Sequence, residues 1–407
     1  MLEFGRCVGW TLTPCGQRIP LLLDELGVPV SMASEFLLSQ HGHADLTRER
    51  NAHELKLIFQ WAKDLGIDLY AMTRCAPQVP FRVIKSSLIP HLRKKLRPPT
   101  DKVGNLHFIS KRDERIVAVS DAVFNSRLYT ASSFFKHWFD DALGTIQDTS
   151  PKYKIIQDYK NSILEYLASK VVTVRSNKRQ SKALSEFEMQ SLAEIVKSGP
   201  TSASSEFIKL RNKVVVGLQT VTPARAGEVL SLHANDIIFG HISQINFVRR
   251  PPDPDDLRNP RPALKTNGRP VEVSNAELLK DLDDYLMMRE TLMETAKANH
   301  PYLVITEQAR PLSYWSLRKI YTDIRAEHPR LFRVQLNAKA LRHTFTTHLE
   351  NALRELGIGE ERRRKHLAAI RGDSSRSSQD KYLDAAFDAE YHQAMRKVQD
   401  TYSDCLP

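Results

Sequence analysis

Apolar positions in the first half of the chain recur mostly at helical spacing. In LTRERNAHELKLIFQWAKDL (46–65), Leu55, Ile58, Phe59 and Ala62 fall on one stripe of a 3.6-residue period, which predicts a helix with one buried face. Arg48, Arg50 and Lys56 lie off that stripe, where a solvated face is the ordinary outcome and phosphate contact the functional one. A shorter periodic stretch covers 31–38, and Pro151 to Ala168 reads as another amphipathic helix. The segment SRLYTASSFFKHWFDDAL (126–143) carries Phe134, Phe135, Trp138 and Phe139, which read as core rather than as a platform for bases. Residues 76–105 contain prolines, a glycine and the basic run HLRKKLRPPTDK, so they read as a surface connection, part of an insertion over about 76–125.

The pattern changes past residue 183. VVTVRSNKRQSKA (171–183) is polar and basic, as a linker should be. Ser185 followed three residues later by Glu188 is a capping-box signal for a new helix. RNKVVVGLQTV (211–221) reads as an apolar helix, whereas ISQINFV (242–248) and RPVEVS (269–274) alternate like strands. The intervening PPDPDDLRNPRP must be a loop, because its prolines cannot donate to a ladder. PYLVI (301–305) reads as a short buried strand or turn. The expected fold is mostly α with a small antiparallel β-sheet: a helical N-terminal region, 1–175, and an α+β domain, 183–407.

Composition narrows the class. The chain has 407 residues, 41% hydrophobic and 26% charged, which excludes wholesale disorder and a disulfide-dense scaffold. No stretch approaches the ~18 apolar residues of a membrane span, and the first residues lack the basic-then-apolar layout of a signal peptide. Cys7, Cys15, Cys75 and Cys405 are scattered without zinc spacing and read as reduced thiols of a cytoplasmic protein. Lys plus Arg is 59 against 48 for Asp plus Glu, a surplus of +11 that points to a polyanionic partner, nucleic acid first.

Three segments carry candidate chemistry. In TPARAGEVLSLHANDI (222–237), Thr222 and Pro223 suit the N-cap and first position of a helix. Arg225 then falls in the first turn, where a cation opposes the helix dipole unless a phosphate is shared with the helix N-terminus. Glu228 sits at helical spacing for packing or bracing. In KALRHTFTTHL (339–349), Lys339 and Arg342 share a face while Leu341, Phe345 and Leu349 line the opposite, buried stripe. In AAIRGDSSRSSQDKYLDA (368–385), Gly372 ends one helix, serines turn the chain, and Tyr382 lies in the next helix.

Together these segments resemble the catalytic domain of the tyrosine recombinases, the phage-integrase family. TPARAGEVLSL matches the family's first arginine segment with Arg225, LKTNGRPVEVS its β-turn lysine with Lys265, and KALRHTFTTHL its second box with Lys339 and Arg342. GDSSRSSQDKY matches the turn that precedes the nucleophile by nine residues, here Asp373 before Tyr382. The resemblance covers 183 to about 400, and the helices upstream resemble the family's core-binding domain, enlarged. Asp373 stands where the family has His or Trp, and His366, within the long 40-residue gap from Arg342 to Tyr382, is its rival for that role. Lys265 follows a proline-rich loop, but no other lysine lies between Lys213 and Lys280.

The resemblance implies a site-specific DNA recombinase or integrase of a mobile element, acting on double-stranded DNA through a 3′-phosphotyrosine at Tyr382, without metal or nucleotide cofactor. Arg225 and Arg342 would hold the scissile phosphate, Lys265 would protonate the leaving 5′-oxygen, and Lys339 would assist. It further implies a homotetramer on DNA, accessory recombination proteins and a cytoplasmic, nucleoid-associated location. The segment 387–400 presents Phe387, Tyr391, Met395 and Val398 on one face, for docking on a neighbouring protomer or on its own domain. The alternatives are a DNA-binding relative with weak or no catalysis, prompted by Asp373, and a type IB topoisomerase.

Overall fold

A computed structural model describes residues 8–13, 17–40, 45–75, 79–94, 118–174, 183–198, 205–264, 267–372 and 393–399. The chain divides into two compact units between Asn177 and Lys178. Among the described residues no helix is long and apolar enough to cross a membrane.

The first unit opens with a hairpin that helical periodicity did not reveal. Strands β1 (Val8–Leu12) and β2 (Arg18–Leu22) pair antiparallel, with Val8 opposite Leu22 and Leu12 opposite Arg18. The turn that follows suits its residues: the Asp24 carboxylate accepts the amides of Leu26 and Val28, and Gly27 supplies a φ of +79°. Helices α1 (Ser31–Ser39), α2 (Asp45–Asp64) and α3 (Leu69–Arg74) come next. Leu55, Ile58 and Ala62 of α2 are buried, as their spacing predicts, and Phe59 is half-buried against the same core.

Arg48 departs from both outcomes expected for it. It is 1% exposed and paired with Asp45 at 2.7 Å, so it faces neither phosphate nor solvent. The expected surface connection is also corrected in its first part. Phe81 to Arg93 is a helical run, α4 (Phe81–Val83), a π-type turn (Ile84–Leu88) and α5 (Ile89–Arg93), with Ile84, Leu88 and Leu92 fully buried. Pro80 caps the run, and Pro90 lacks the N–H that a regular turn would need, so the helix widens ahead of it instead of ending. Much of the basic run lies outside the described residues.

Helices α6 (Asp121–Gly144) and α7 (Pro151–Ser169) complete the unit. Phe134, Phe135, Trp138 and Phe139 are each at most 2% exposed and form core, as expected. Ser150 caps α7 through the Lys152 amide, with Pro151 in the first turn.

Among its described residues the second unit mixes helices with one sheet. Helix α8 (Glu186–Ser198) starts on the expected box: Glu188 accepts the Ser185 amide at 2.7 Å, and Ser185 Oγ accepts the Glu188 amide at 3.3 Å. Helices α9 (Glu206–Val221) and α10 (Ala226–Leu230) follow. The antiparallel sheet has the order β3 (Ile237–Ile238), β4 (Gln244–Phe247), β5 (Arg269–Glu272), with Ile245 opposite both Ile237 and Val271. Residues 301–305 form isolated bridges rather than a strand, Tyr302 to His233 and Ile305 to Pro311. Helices α11 (Ala276–Thr295), α12 (Tyr314–Glu327), α13 (Ala338–Glu355) and α14 (Glu360–Arg371) surround a core that includes Val215, Leu218, Leu282, Leu303 and Phe345.

The proline-rich loop is pinned although it has no regular structure. Arg258, 8% exposed, forks onto Asp256, donates to the Leu230 and Leu312 carbonyls at 2.8 and 3.0 Å, and lies 4.2 Å over the Tyr302 ring. It thereby places a cation at the C-terminal end of α10. At the far side of this loop, Gly268 lies flat against β4, where an added Cβ would meet the Phe247 carbonyl oxygen at 2.5 Å. Gly268→Ala should therefore force β4 and β5 apart and cost about 1–3 kcal/mol in urea unfolding. An unchanged midpoint would show that the hairpin yields freely.

The segment 393–399 is helical and packs on its own unit, with Met395 and Val398 in the same core. Phe387 and Tyr391 lie outside the described residues. Gln399 joins two backbone segments, the end of α9 and the stretch 272–274 at the end of β5. Its amide group donates to the Glu272 carbonyl at 3.0 Å and the Val221 carbonyl at 3.3 Å, and its oxygen accepts from the Ser274 amide and hydroxyl at 2.7 and 2.8 Å.

Candidate active site

The region around Arg225 is built differently from its sequence expectation. Thr222 is not the N-cap of the next helix. Its hydroxyl donates back to the Leu218 carbonyl, and it ends α9 in an extended conformation. The chain runs on through buried Pro223 and Ala224, and Arg225 itself caps α10. That helix has only five residues, so the anion site expected at a helix N-terminus has little dipole behind it. The guanidinium and its neighbours carry the electrostatics instead.

Those neighbours converge on one carboxylate. Glu228 is fully buried, accepts the Arg225 amide at 2.8 Å and pairs with the Arg225 guanidinium at 2.9 Å. Arg269, at the start of β5, reaches both Glu228 oxygens at 3.0 and 3.3 Å and lies 4.9 Å over the Phe247 ring. Arg342 Nη1 stands 3.8 Å from Glu228 Oε2. Burial alone would raise the Glu228 carboxyl, but the hydrogen bonds and charges of Arg269 and Arg225 outweigh it and hold the group below its usual value of 4.5.

Helix α13 supplies the second guanidinium. Asn337 caps it through the Lys339 and Ala340 amides at 2.9 and 3.0 Å, and Leu341, Phe345 and Leu349 are buried as their spacing predicts. This fixes the orientation of Arg342, whose Nη1 donates to the Pro223 carbonyl. Its Nη2 donates to the Arg371 carbonyl at 3.2 Å, and Arg225 donates to the same oxygen at 3.0 Å. Two arginines remote in sequence therefore meet at the last carbonyl of α14. Cations at that helix end are favourable. Arg225 keeps 28% of its side chain exposed and Arg342 11%, so the pair borders solvent while Glu228 and Arg269 lie beneath. Lys339 is exposed, one turn before Arg342 on α13.

Gly372 ends α14 with a φ of +66°, the left-handed conformation expected of it. His366 is 1% exposed on the same face of α14 as buried Ile370. Lys265, Asp373 and Tyr382 lie outside the described residues. The residues next to Lys265 are placed: Leu264 is buried in the core, and Gly268 and Arg269 lead into β5. Of the six predicted site residues, Arg225 and Arg342 are brought together, and Lys339 stands on the helix that carries Arg342. The residue that sequence reading missed is Arg269. It stood in a segment read as a strand and as the setting of Lys265, and the signal for it was indirect: a glutamate between Gly227 and Val229 and Leu230 needs a buried counter-charge.

Among the described residues no group of three or more His, Cys, Asp or Glu side chains is arranged to hold a metal ion. No protein-family model matches the chain, and no curated protein sequence matches it. Solved structures do. The XerH site-specific recombinase bound to its difH substrate, in a pre-cleavage complex, matches with a TM-score of 0.51 at 15% identity, covering 90% of each chain. The Tn1549 transposon integrase in complex with circular-intermediate DNA matches with a TM-score of 0.49 at 14% identity, covering 86% of this chain and 94% of that one. The XerH match establishes the fold: mostly helical, with small antiparallel sheets, as in that recombinase.

Proposed function

We propose that this chain is a site-specific DNA recombinase that cleaves and rejoins strands through a 3′-phosphotyrosyl intermediate at Tyr382. The observation that carries the reading is the convergence of Arg225 and Arg342 on the Arg371 carbonyl, at a solvent border, backed by the Glu228–Arg269 pair. The fold shared with a DNA-bound recombinase and the surplus of +11 support it.

In this reading a phosphodiester seats its non-bridging oxygens on the two guanidiniums, whose planar forks suit bidentate contact. The Tyr382 oxygen attacks phosphorus. One O–P bond forms, the bond to the 5′-oxygen breaks, and the Lys265 ammonium gives that oxygen its proton. Lys339 stabilises charge or takes the phenolic proton, and Asp373 or His366 fills the remaining place. The 5′-hydroxyl of a partner strand then attacks the phosphotyrosine and releases the enzyme. Exchange between two duplexes requires four such sites, hence a homotetramer on DNA, with accessory proteins setting direction. Residues 183–407 are the catalytic domain and 1–175 the core-binding region, and the substrate is the end of a mobile element.

The test is a nicked duplex that traps the covalent adduct. Wild-type protein should yield a denaturant-resistant protein–DNA species. Binding without any adduct would favour a DNA-binding relative, and monomeric relaxation of supercoils would favour a topoisomerase. Arg225→Ala and Arg342→Ala should each slow single-turnover cleavage by roughly 10²–10³-fold. Arg342→Lys should rescue little, because an ammonium has no fork. Unaltered cleavage in either alanine variant would remove that arginine from the site.

A further inference from the structure

A cleft separate from the arginine pair lies between the start of α8 and the loop that follows α12. It has a volume of about 840 Å³, within the roughly 300–1,000 Å³ of ligand sites. Ser185, Phe187, Glu188, His328, Arg330 and Arg333 line it. Its walls are tied together: the Glu188 carboxylate accepts the Ser185 amide from one side and the Arg333 amide at 2.5 Å from the other. That carboxylate is spent on backbone donors and is 3% exposed, so it adds little negative charge to the opening.

What the cleft presents outward is aromatic and cationic. Phe187 is 66% exposed, so its ring is open to a ligand. Arg330 and Arg333 are exposed, and neither guanidinium has an ion-pair partner among the described residues. Glu186, the neighbouring acid on α8, does not line the cleft; it lies near His348, whose imidazole burial pushes below its usual value against the opposing Glu186 charge. A free ring beside two unpaired guanidiniums is the pairing that recognises an unstacked base and its phosphates. A paired duplex hides its base faces and would leave Phe187 unused.

The cleft is tied to the helix that carries Arg342. The Leu184 amide, just ahead of α8, donates to Thr344 Oγ1 at 2.8 Å, two residues beyond Arg342 on α13. The loop bearing Arg330 and Arg333 leads directly into that helix. We propose that this cleft holds an unpaired nucleotide of the bound DNA strand, with Phe187 stacked on the base and Arg330 and Arg333 on the flanking phosphates. The proposal rests on the recombinase reading for its role, since a strand that changes partners must pass through an unpaired state.

The experiment is fluorescence anisotropy of the full chain with a labelled oligothymidylate and with a duplex of equal length. Phe187→Ala should weaken oligothymidylate binding roughly tenfold and leave duplex binding unchanged, and Phe187→Trp should retain both. The double variant Arg330→Gln/Arg333→Gln should lower the slope of log affinity against log salt by about 1.4, at about 0.7 per single-strand phosphate contact. Phe187→Ala should leave that slope unchanged. All three side chains are exposed, so these variants keep the fold. The proposal is overturned if wild-type protein ignores oligothymidylate, or if Phe187→Ala binds it normally or loses both ligands equally. Failure of the recombinase reading is seen separately, as wild-type protein that forms no adduct with duplex DNA, and the oligothymidylate arm decides the cleft either way.

Discussion

On the proposed mechanism, Tyr382→Phe should abolish the covalent adduct, with cleavage falling by at least about 10⁴-fold, while duplex binding persists. Loss of a nucleophile removes the bond-forming atom itself, and single knockouts of covalent machinery reach or exceed this size. Binding should survive because it rests on phosphate contacts spread over the surface rather than on one phenol. The informative control is Tyr314. It packs against Gly227, and burial first, then the Glu228 charge, raise its phenol above 10.0, with Arg258 opposing. A raised phenol yields less phenolate at neutral pH and makes a poor nucleophile. Mass spectrometry of the trapped adduct should therefore place the nucleotide on the Tyr382 peptide. An adduct on Tyr314 would move the nucleophile, and full activity in Tyr382→Phe would end the phosphotyrosine assignment.

The second large effect is on stability. Glu228→Gln keeps the shape but leaves the Arg225, Arg269 and Arg342 cations around a neutral amide with no exposure to water. Breaking a buried ion pair from one side typically costs about 3–5 kcal/mol, because the surviving charge stays uncompensated. Urea unfolding of the full chain should register that loss, and strand cleavage should fall with it as the two outer arginines lose their anchor. The pH dependence follows from the depressed carboxyl. Its contribution is complete above the unfolded value near 4.5 and drains away as pH falls through the lower folded value. The gap between wild type and Glu228→Gln should thus be full at neutral pH and close in acid. A variant that loses less than about 0.5 kcal/mol at neutral pH would show that the three guanidiniums are satisfied without the carboxylate.

What was legible in advance depended on whether the signal was local. Helices α2, α6 and α13 announced themselves by apolar spacing, and α8 by a box that closes within four residues. The β1–β2 hairpin did not, because five-residue strands leave too short an alternation to stand out from the helical half. The run at Phe81–Arg93 was hidden by prolines that the helix absorbs at its cap and its widened turn. Thr222 misled because the same hydroxyl can cap the helix ahead or bond back into the helix behind, and tertiary packing made the choice. The site divides in the same way. Residue types and order pointed to Arg225 and Arg342, but the carboxylate that gathers them also depends on Arg269, 41 residues along the chain from Glu228, and no local pattern encodes that meeting.

Gln399 illustrates how unevenly the second unit distributes tolerance to change. Both protons and both lone pairs of its amide are engaged, each by a different backbone or hydroxyl group. Glutamate has the same outline but a different proton inventory, so it would turn its oxygen toward two carbonyls. A position that touches neither arginine of the pair should thus show the mutational profile of an active-site residue, and a survey that equates intolerance with catalysis would misread it.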